Sequence, residues 1–188
     1  MSDEFKQGLL RLHTRQFGSV VEVIVKLLAD YQDSEKLDFD LIDEKTGKRI
    51  EVKSSRVQRK SKLPKDDAGK IYDFIINNSN RRRFLRQNQA TKVDFDCNIQ
   101  QIKTGLFDAM YYLLFFYDKI EVFRIEKNEI LSDVNINYSD KQHRGNKGEG
   151  QFHINTKNYQ YHKDSYFQGS ISYEDLVKIL RKNGNGKS

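Results

Sequence analysis

The sequence predicts an α/β fold, a mixed central β-sheet flanked by helices, and three observations carry that expectation. Apolar residues recur at three- and four-residue intervals through the first thirty positions, as in helices packed on a core. Two short stretches on either side of the loop Glu44-Lys45-Thr46-Gly47 alternate apolar and polar residues, as in a half-buried hairpin. The run YYLLFFY, 111–117, has no alternation and so fits a central strand covered on both faces. In chain order, Phe5, Leu9 and Leu12 stripe a first helix that Ser2 and Glu4 suit as a start. Val20, Val21, Ile24, Val25 and Leu28 stripe a second, from about Ser19 to Tyr31, with Gly18 marking the break between them. The hairpin occupies 37–55, and a long basic, polar stretch to Lys92 contains Pro64 and a helical segment from Ile71 to Asn77. The next block predicts a strand at Val93 to Cys97, a helix from Ile99 to about Phe107, and strands at Met110 to Tyr117 and Ile120 to Ile125 joined by the turn Asp118-Lys119. Gly145, Gly148 and Gly150 punctuate a flexible loop, and an ordered piece with Phe152, Ile154, Tyr159 and Tyr161 follows. Ser172 caps a final helix, and NGNGKS is expected to fray.

A chain of 188 residues fits one domain that buries a real core. It divides into a motif-bearing core at 18–55, a basic segment at 56–92, a sheet and helix core at 93–131, and a loop and helix at 132–188. Hydrophobic residues make up 37% and charged ones 32%, with ten Tyr and twelve Phe, a balance that excludes a disordered chain. A net charge of +6 suggests an anionic partner. Cys97 is the single cysteine, which excludes an internal disulfide and a cysteine-rich zinc site. No apolar stretch approaches the ~20 residues of a membrane span, and the first residues lack the pattern of a signal peptide, so the expectation is a cytoplasmic protein without membrane contact.

The hairpin carries the chemistry. If Asp43 faces Lys48 at its base, Leu41 lies opposite Ile50 and Phe39 opposite Val52 on an apolar face. The same register sets Asp40 opposite Glu51 and Asp38 opposite Lys53 on the other face. Opposed residues hold their Cβ atoms ~4.5–5.5 Å apart, so two carboxylates there repel unless one is protonated or a cation sits between them. A hard divalent ion meets that need, since Mg²⁺ prefers oxygen and usually takes one or two protein carboxylates. Lys53 projects from the same face, where its ammonium would orient an attacking water and offset charge on a pentavalent phosphate. The alternative is a solvated strand face with a cross-strand pair such as Asp38 to Lys53.

Asp40, a ten-residue gap and then Glu51-Val52-Lys53 resembles the PD-(D/E)XK nuclease superfamily, whose members carry an acid on one strand and E-x-K or D-x-K on the next. The stretch GSVVEVIVKLL adds Glu22 four residues after Gly18, similar to the helical glutamate many of these enzymes bring to the metal. The resemblance covers roughly 18–55. It implies Asp40 and Glu51 as Mg²⁺ ligands, Lys53 as water-orienting base or electrostatic stabiliser, and Glu22 as a second-metal or supporting acid. The proline of the motif is absent, because Phe39 precedes Asp40, and Asp38 stands as a rival for the same role. The implied activity is Mg²⁺-dependent hydrolysis of DNA phosphodiesters to 5′-phosphate ends, by a nuclease with a restriction-endonuclease-like core.

Arg56, Arg59, Lys60, Lys62 and Lys65 follow the E-x-K strand, and Arg81, Arg82, Arg83 and Arg86 cluster again among asparagines. These are the candidates for contact with double-stranded DNA, beside the alternative of a solvated basic loop. Gln100, Gln101 and Lys103, read as opening the helix after 93–97, are alternates for a place near the active centre, with helix packing as the other reading. Asp94 and Asp96 read as an exposed face, and the four histidines are too scattered for a metal set, although His143 could touch DNA from its loop. The glycines at 145–150 lack G-K-[ST] and so indicate no nucleotide cofactor. The size suits a stand-alone type II restriction endonuclease working as a two-fold homodimer, with the apolar later half as a source of dimer surface. A structure-selective repair or junction-resolving nuclease, and a non-catalytic DNA-binding protein, stay open as alternatives.

Overall fold

The computed structural model describes residues 2–35, 38–61, 63–141 and 147–184. Helices α1 (Ser2–Arg11) and α2 (Thr14–Ala29) lead into strands β1 (Gln32–Asp33), β2 (Leu41–Asp43) and β3 (Lys48–Arg56). Helices α3 (Ala68–Ile76) and α4 (Asn80–Arg83) and a 3₁₀ turn at Gln87–Gln89 precede β4 (Asp96–Ile102), β5 (Ala109–Phe115) and β6 (Ile120–Glu126). The chain closes with α5 (Lys127–Ser132), β7 (Ser139–Lys141), β8 (Lys147–Asn155), α6 (Tyr159–Ser165), β9 (Phe167–Ile171) and α7 (Tyr173–Gly184). Six strands form a mixed central sheet in the order β1-β2-β3-β5-β6-β9, in which β3 and β5 run parallel and the other pairs antiparallel. The remaining three form an antiparallel sheet, β4-β8-β7. Helices flank the large sheet, as the sequence predicts.

The unalternating apolar run explains how the layers join. Side chains of a strand alternate between faces, and β5 feeds two cores at once. Met110, Tyr112, Leu114 and Phe116 belong to one cluster with Phe95, Cys97 and Ile99 of the small sheet and its approach, Phe152 and Ile154 of β8, and Tyr159 of α6. Ala109, Leu113 and Phe115 belong to the other, with Leu9 and Leu10 of α1, Phe17, Val21, Ile24 and Val25 of α2, and Leu176 of α7. The apolar run of β5 is therefore spent on the interior. Large exposed apolar side chains stand instead on α3, where Tyr72, Ile75 and Ile76 are 65%, 64% and 56% exposed.

Several element boundaries differ from the sequence reading. The break between the first helices falls at Leu12-His13, and Gly18 lies inside α2. Arg56 Nη2 donates to the Leu12 carbonyl at 2.6 Å, which gives the terminal acceptor of α1 a partner where the chain turns. The helix expected from Ile99 to Phe107 is absent: β4 runs through Ile102, so Gln100 and Gln101 sit on a strand and Lys103 just beyond it. The loop expected around Gly148 and Gly150 is part of β8, whereas Gly145, His143 and the tail from Asn185 lie outside the described residues. The helix around Ile71 and the last two central strands stand close to their expected ranges. Ser172 Oγ caps α7 by accepting the Asp175 N–H at 3.0 Å.

Two buried polar groups set properties of the core. Cys97 is buried, which pushes its thiol up to about 12. His162 is buried among Tyr112, Phe152, Tyr161 and Tyr166, and Tyr112 Oη lies 2.9 Å from its Nδ1. Burial lowers this imidazole to about 4, against a small opposing pull from Asp133. A folded-state value below the ordinary 6.5 means the unfolded chain binds the proton more readily. That stabilisation is complete above pH 6.5 and is lost as pH falls toward 4, up to about 3 kcal/mol. Urea unfolding at pH 7 and pH 4.5 should show this loss in the native chain, and a His162→Phe variant should lack that part of the slope.

Candidate active-site cleft

Where β2 leaves the sheet, an opening forms along β3. The hairpin ladder pairs Asp43 with Lys48, Ile42 with Arg49 and Leu41 with Ile50, the expected register, and ends there. Residues 38 to 40 are not in strand conformation. The Asp40 N–H donates to the Ile50 carbonyl at 3.1 Å, and its carboxylate accepts the Val52 N–H at 2.7 Å. A side chain thus takes the strand amide that a continued β2 would have paired. This corrects the extended register. Asp40 does not continue the ladder opposite Glu51, Asp38 lies in a turn instead of opposite Lys53, and Phe39 packs on the small-sheet core while Val52 packs on the helix side.

The base of the hairpin is held by ions. Arg49 grips Asp108 through Nε at 3.0 Å and Nη2 at 2.7 Å, and its backbone N–H reaches the same carboxylate at 3.0 Å. These bonds hold Asp108 well below the usual carboxylate range and fix the start of β3 against β5. Lys48 Nζ reaches both oxygens of Glu126, at 3.0 and 3.1 Å.

Ile50 and Val52 face the helices, so period two turns Glu51 and Lys53 to the other side. Lys53 Nζ donates to Glu51, whose residue is only 8% exposed. Burial raises the Glu51 carboxyl above its ordinary value; Lys53 opposes this, and the charges of Asp40 and Glu22 add to it. Glu22 is raised in turn, first by burial and then by Asp40, against Lys53. The three carboxylates and the ammonium therefore share one field, although they come from α2, the bend before β2, and β3. Glu22 follows Val21 of the buried stripe and so sits at the margin of α2, one turn beyond Gly18, which leaves open space beside it.

Two hollows meet at Asp40, Lys53 and Gln101, which line both. The larger, of about 650 Å³, has Arg15, Gly18, Ser19 and Glu22 of α2 on one side, Asn98, Gln100 and Gln101 of β4 on the other, and Lys53 to Arg56 between them. The smaller, of about 190 Å³, gathers Asp38, Asp40, Glu51, Lys53, Gln101, Lys103 and Glu149. Asp38, the rival acid, thus borders the centre as an exposed residue. Gln100 and Gln101 border it too, from a strand.

The basic candidates divide. Arg56 lines the cleft but is partly sheltered, with its guanidinium 3.8 Å from the Phe17 ring centroid, so it joins α1, α2 and β3 as well as facing the opening. Arg59 Nε donates to the Arg82 carbonyl at 3.2 Å, and Arg83 donates to Gln58 through Nη2 at 3.0 Å. Gln58 lines the larger hollow, so this bond links the arginine cluster to the cleft. A neighbouring hollow of about 410 Å³ contains Arg59, Arg82, Arg83 and Lys70. Lys60 lies 3.7 Å from Asp94, Lys65 is exposed in a turn, and Arg81 and Arg86 are exposed; Lys62 lies outside the described residues. Asp96 is exposed and pairs with His153 at 2.8 Å. Asn98, on the wall opposite α2, falls between the strand expected at 93–97 and the helix expected from Ile99, and the sequence carries no signal that β4 continues through it.

Among the described residues, no group of three or more His, Cys, Asp or Glu side chains is close enough to hold a metal ion. The donor set offered by Asp40 and Glu51 is two hard oxygen ligands, the number Mg²⁺ usually takes while leaving its other positions to water and phosphate. Burial first, and then the charge of Asp40, raise both Glu51 and Glu22, and a cation here would favour their charged forms. No helix among the described residues is long and apolar enough to cross a membrane. No protein-family model and no curated protein matches the chain.

Proposed function

We propose that the protein is a Mg²⁺-dependent DNA endonuclease of the restriction type, a member of the PD-(D/E)XK class that the E-x-K hairpin resembles. The observation that carries this reading is the meeting of Asp40, Glu51 and Lys53 in the smaller hollow, at the edge opened by the departure of β2, with Glu22, Arg15 and Arg56 in the larger hollow that shares Asp40 and Lys53. In this reading Asp40 and Glu51 would hold the ion and Glu22 would support them from α2. Mg²⁺, when bound, supplies positive charge that acidifies water and offsets charge building on phosphorus. Lys53 orients the attacking water and stabilises the pentavalent phosphate, while Glu51 fixes the ammonium in place. In-line attack forms the new P–O bond as the 3′ oxygen departs, leaving a 5′-phosphate. Arg15 and Arg56 neutralise phosphates flanking the scissile bond. Cutting both strands of a symmetric sequence calls for a two-fold dimer.

Incubation of purified protein with supercoiled plasmid DNA tests the reading. Linear product with 5′-phosphate ends at recurring positions is expected with Mg²⁺, and intact plasmid with EDTA. Protein that binds duplex DNA yet leaves it intact across millimolar Mg²⁺ and Mn²⁺ would instead establish the non-catalytic alternative.

A further inference from the structure

We propose that the amide side chains of Gln100 and Gln101 on the outer face of β4, braced by Asn98, form a wall that reads base edges of duplex DNA, with adenine as the favoured contact. This rests on the reading of the cleft as a DNA site. On β4 the inward positions Cys97, Ile99 and Ile102 are core, and the outward positions Asn98 and Gln100 line the cleft. A regular strand would turn the next residue, Gln101, away. It does not turn away, because the register between β4 and β8 shifts between Gln100 and Ile102 and Gln101 takes φ 60°. A bulge of this kind re-aims side chains beside active sites, and here it sets two consecutive amides toward the cleft. The left-handed conformation is uncommon for a glutamine, so the backbone favours this placement over its own local preference.

The chemistry of the wall differs from that of the rest of the cleft. Arg15, Lys53 and Arg56 provide the positive charge that phosphates require. β4 contributes neutral groups, each with an acceptor oxygen and an NH₂ donor in one plane. That pairing suits a base edge, and Asn or Gln can make a two-bonded contact to adenine N6 and N7 in the major groove. Asn98 donates from Nδ2 to Gln151 Oε1 at 2.9 Å and its Oδ1 is buried, so its amide braces the wall from below while Gln100 and Gln101 present the free edges. Gln100 and Gln101 make no side-chain hydrogen bond among the described residues and are exposed, so their amides are available.

Selection from a random duplex DNA library by the protein in EDTA, followed by sequencing of the bound pool, tests this independently of cutting. The native chain should enrich a sequence with adenine at one or two positions. Gln100→Ala, and Gln101→Gly, which also eases the backbone, should each flatten preference at those positions by about ten- to a hundredfold and leave the other positions enriched. Unchanged enrichment in both variants, or a native pool with no base preference, overturns the proposal. A native chain that enriches a sequence but never cuts plasmid overturns the nuclease reading and leaves the wall standing; one that cuts at sites the variants also select does the reverse.

Discussion

Replacing Lys53 by methionine is expected to lower Mg²⁺-dependent cutting by about 10²–10³-fold, the usual cost of removing one group aimed at charge that develops in the transition state. Methionine keeps much of the length and apolar stem of the side chain while deleting the ammonium. The loss has a second origin in the same pair. Glu51 is already raised by burial, and Lys53 is the charge that opposes the rise. Without it the carboxyl shifts further toward the protonated form, which is a poorer ligand for a hard cation. Cutting by K53M should therefore recover partly as pH rises, whereas loss of a purely structural contact would give a flat pH profile. Removing one partner from a buried pair also costs about 3–5 kcal/mol when the other stays charged. Urea unfolding alongside the assay separates the two effects, and Glu51→Gln, which still accepts from Lys53, should abolish cutting with a smaller stability change. Native-level cutting by both variants would contradict the assigned roles.

Tyr112→Ala should be among the most destabilising single changes in the chain. The ring is fully buried, stacked on Phe123 with centroids 5.0 Å apart and 10° between planes, and edge-on to Phe152 at 5.6 Å. It joins the central strand β5 to the small sheet through β8 and to α6 through His162. Truncating a buried aromatic residue costs about 3–5 kcal/mol, and the deletion also strips His162 Nδ1 of its partner. A domain usually has only about 5–15 kcal/mol to lose, so this variant should unfold at much lower urea. Tyr112→Phe keeps the ring and removes only the hydroxyl, and about 1–3 kcal/mol is expected from the buried imidazole left unsatisfied. If Tyr112→Phe were as damaging as Tyr112→Ala, the hydrogen bond and not the packing would dominate the junction.

Much of this arrangement is legible in the residues. The pairing of Leu41 with Ile50 and Asp43 with Lys48 follows from alternation and the Gly47 turn, and Gly47 does adopt a positive φ of 69°. The two-faced burial of β5 follows from its lack of alternation. The misread elements share a physical cause, a local departure from regular geometry that periodicity does not encode. On β4 the alternation Cys97, Ile99 is broken by the bulge at Gln101, so the next inward residue is Ile102. The resulting three-residue step from Ile99 to Ile102 imitates a helix. Before β2, Asp40 spends its carboxylate on the Val52 N–H, and the chain bends away where alternation alone would extend the ladder to Asp38. Gly18 lowers helix propensity but lies within a strongly striped segment, and packing of Phe17, Val21 and Ile24 carries α2 through it.

The most direct test of the central arrangement is anomalous diffraction at the manganese edge from crystals of the protein equilibrated with millimolar Mn²⁺. The account predicts a peak bridging the carboxylates of Asp40 and Glu51, with Lys53 Nζ beside it and the Glu51→Gln variant lacking it. A fully ordered cleft with no peak there, or a peak bound only by residues distant from β3, would contradict it.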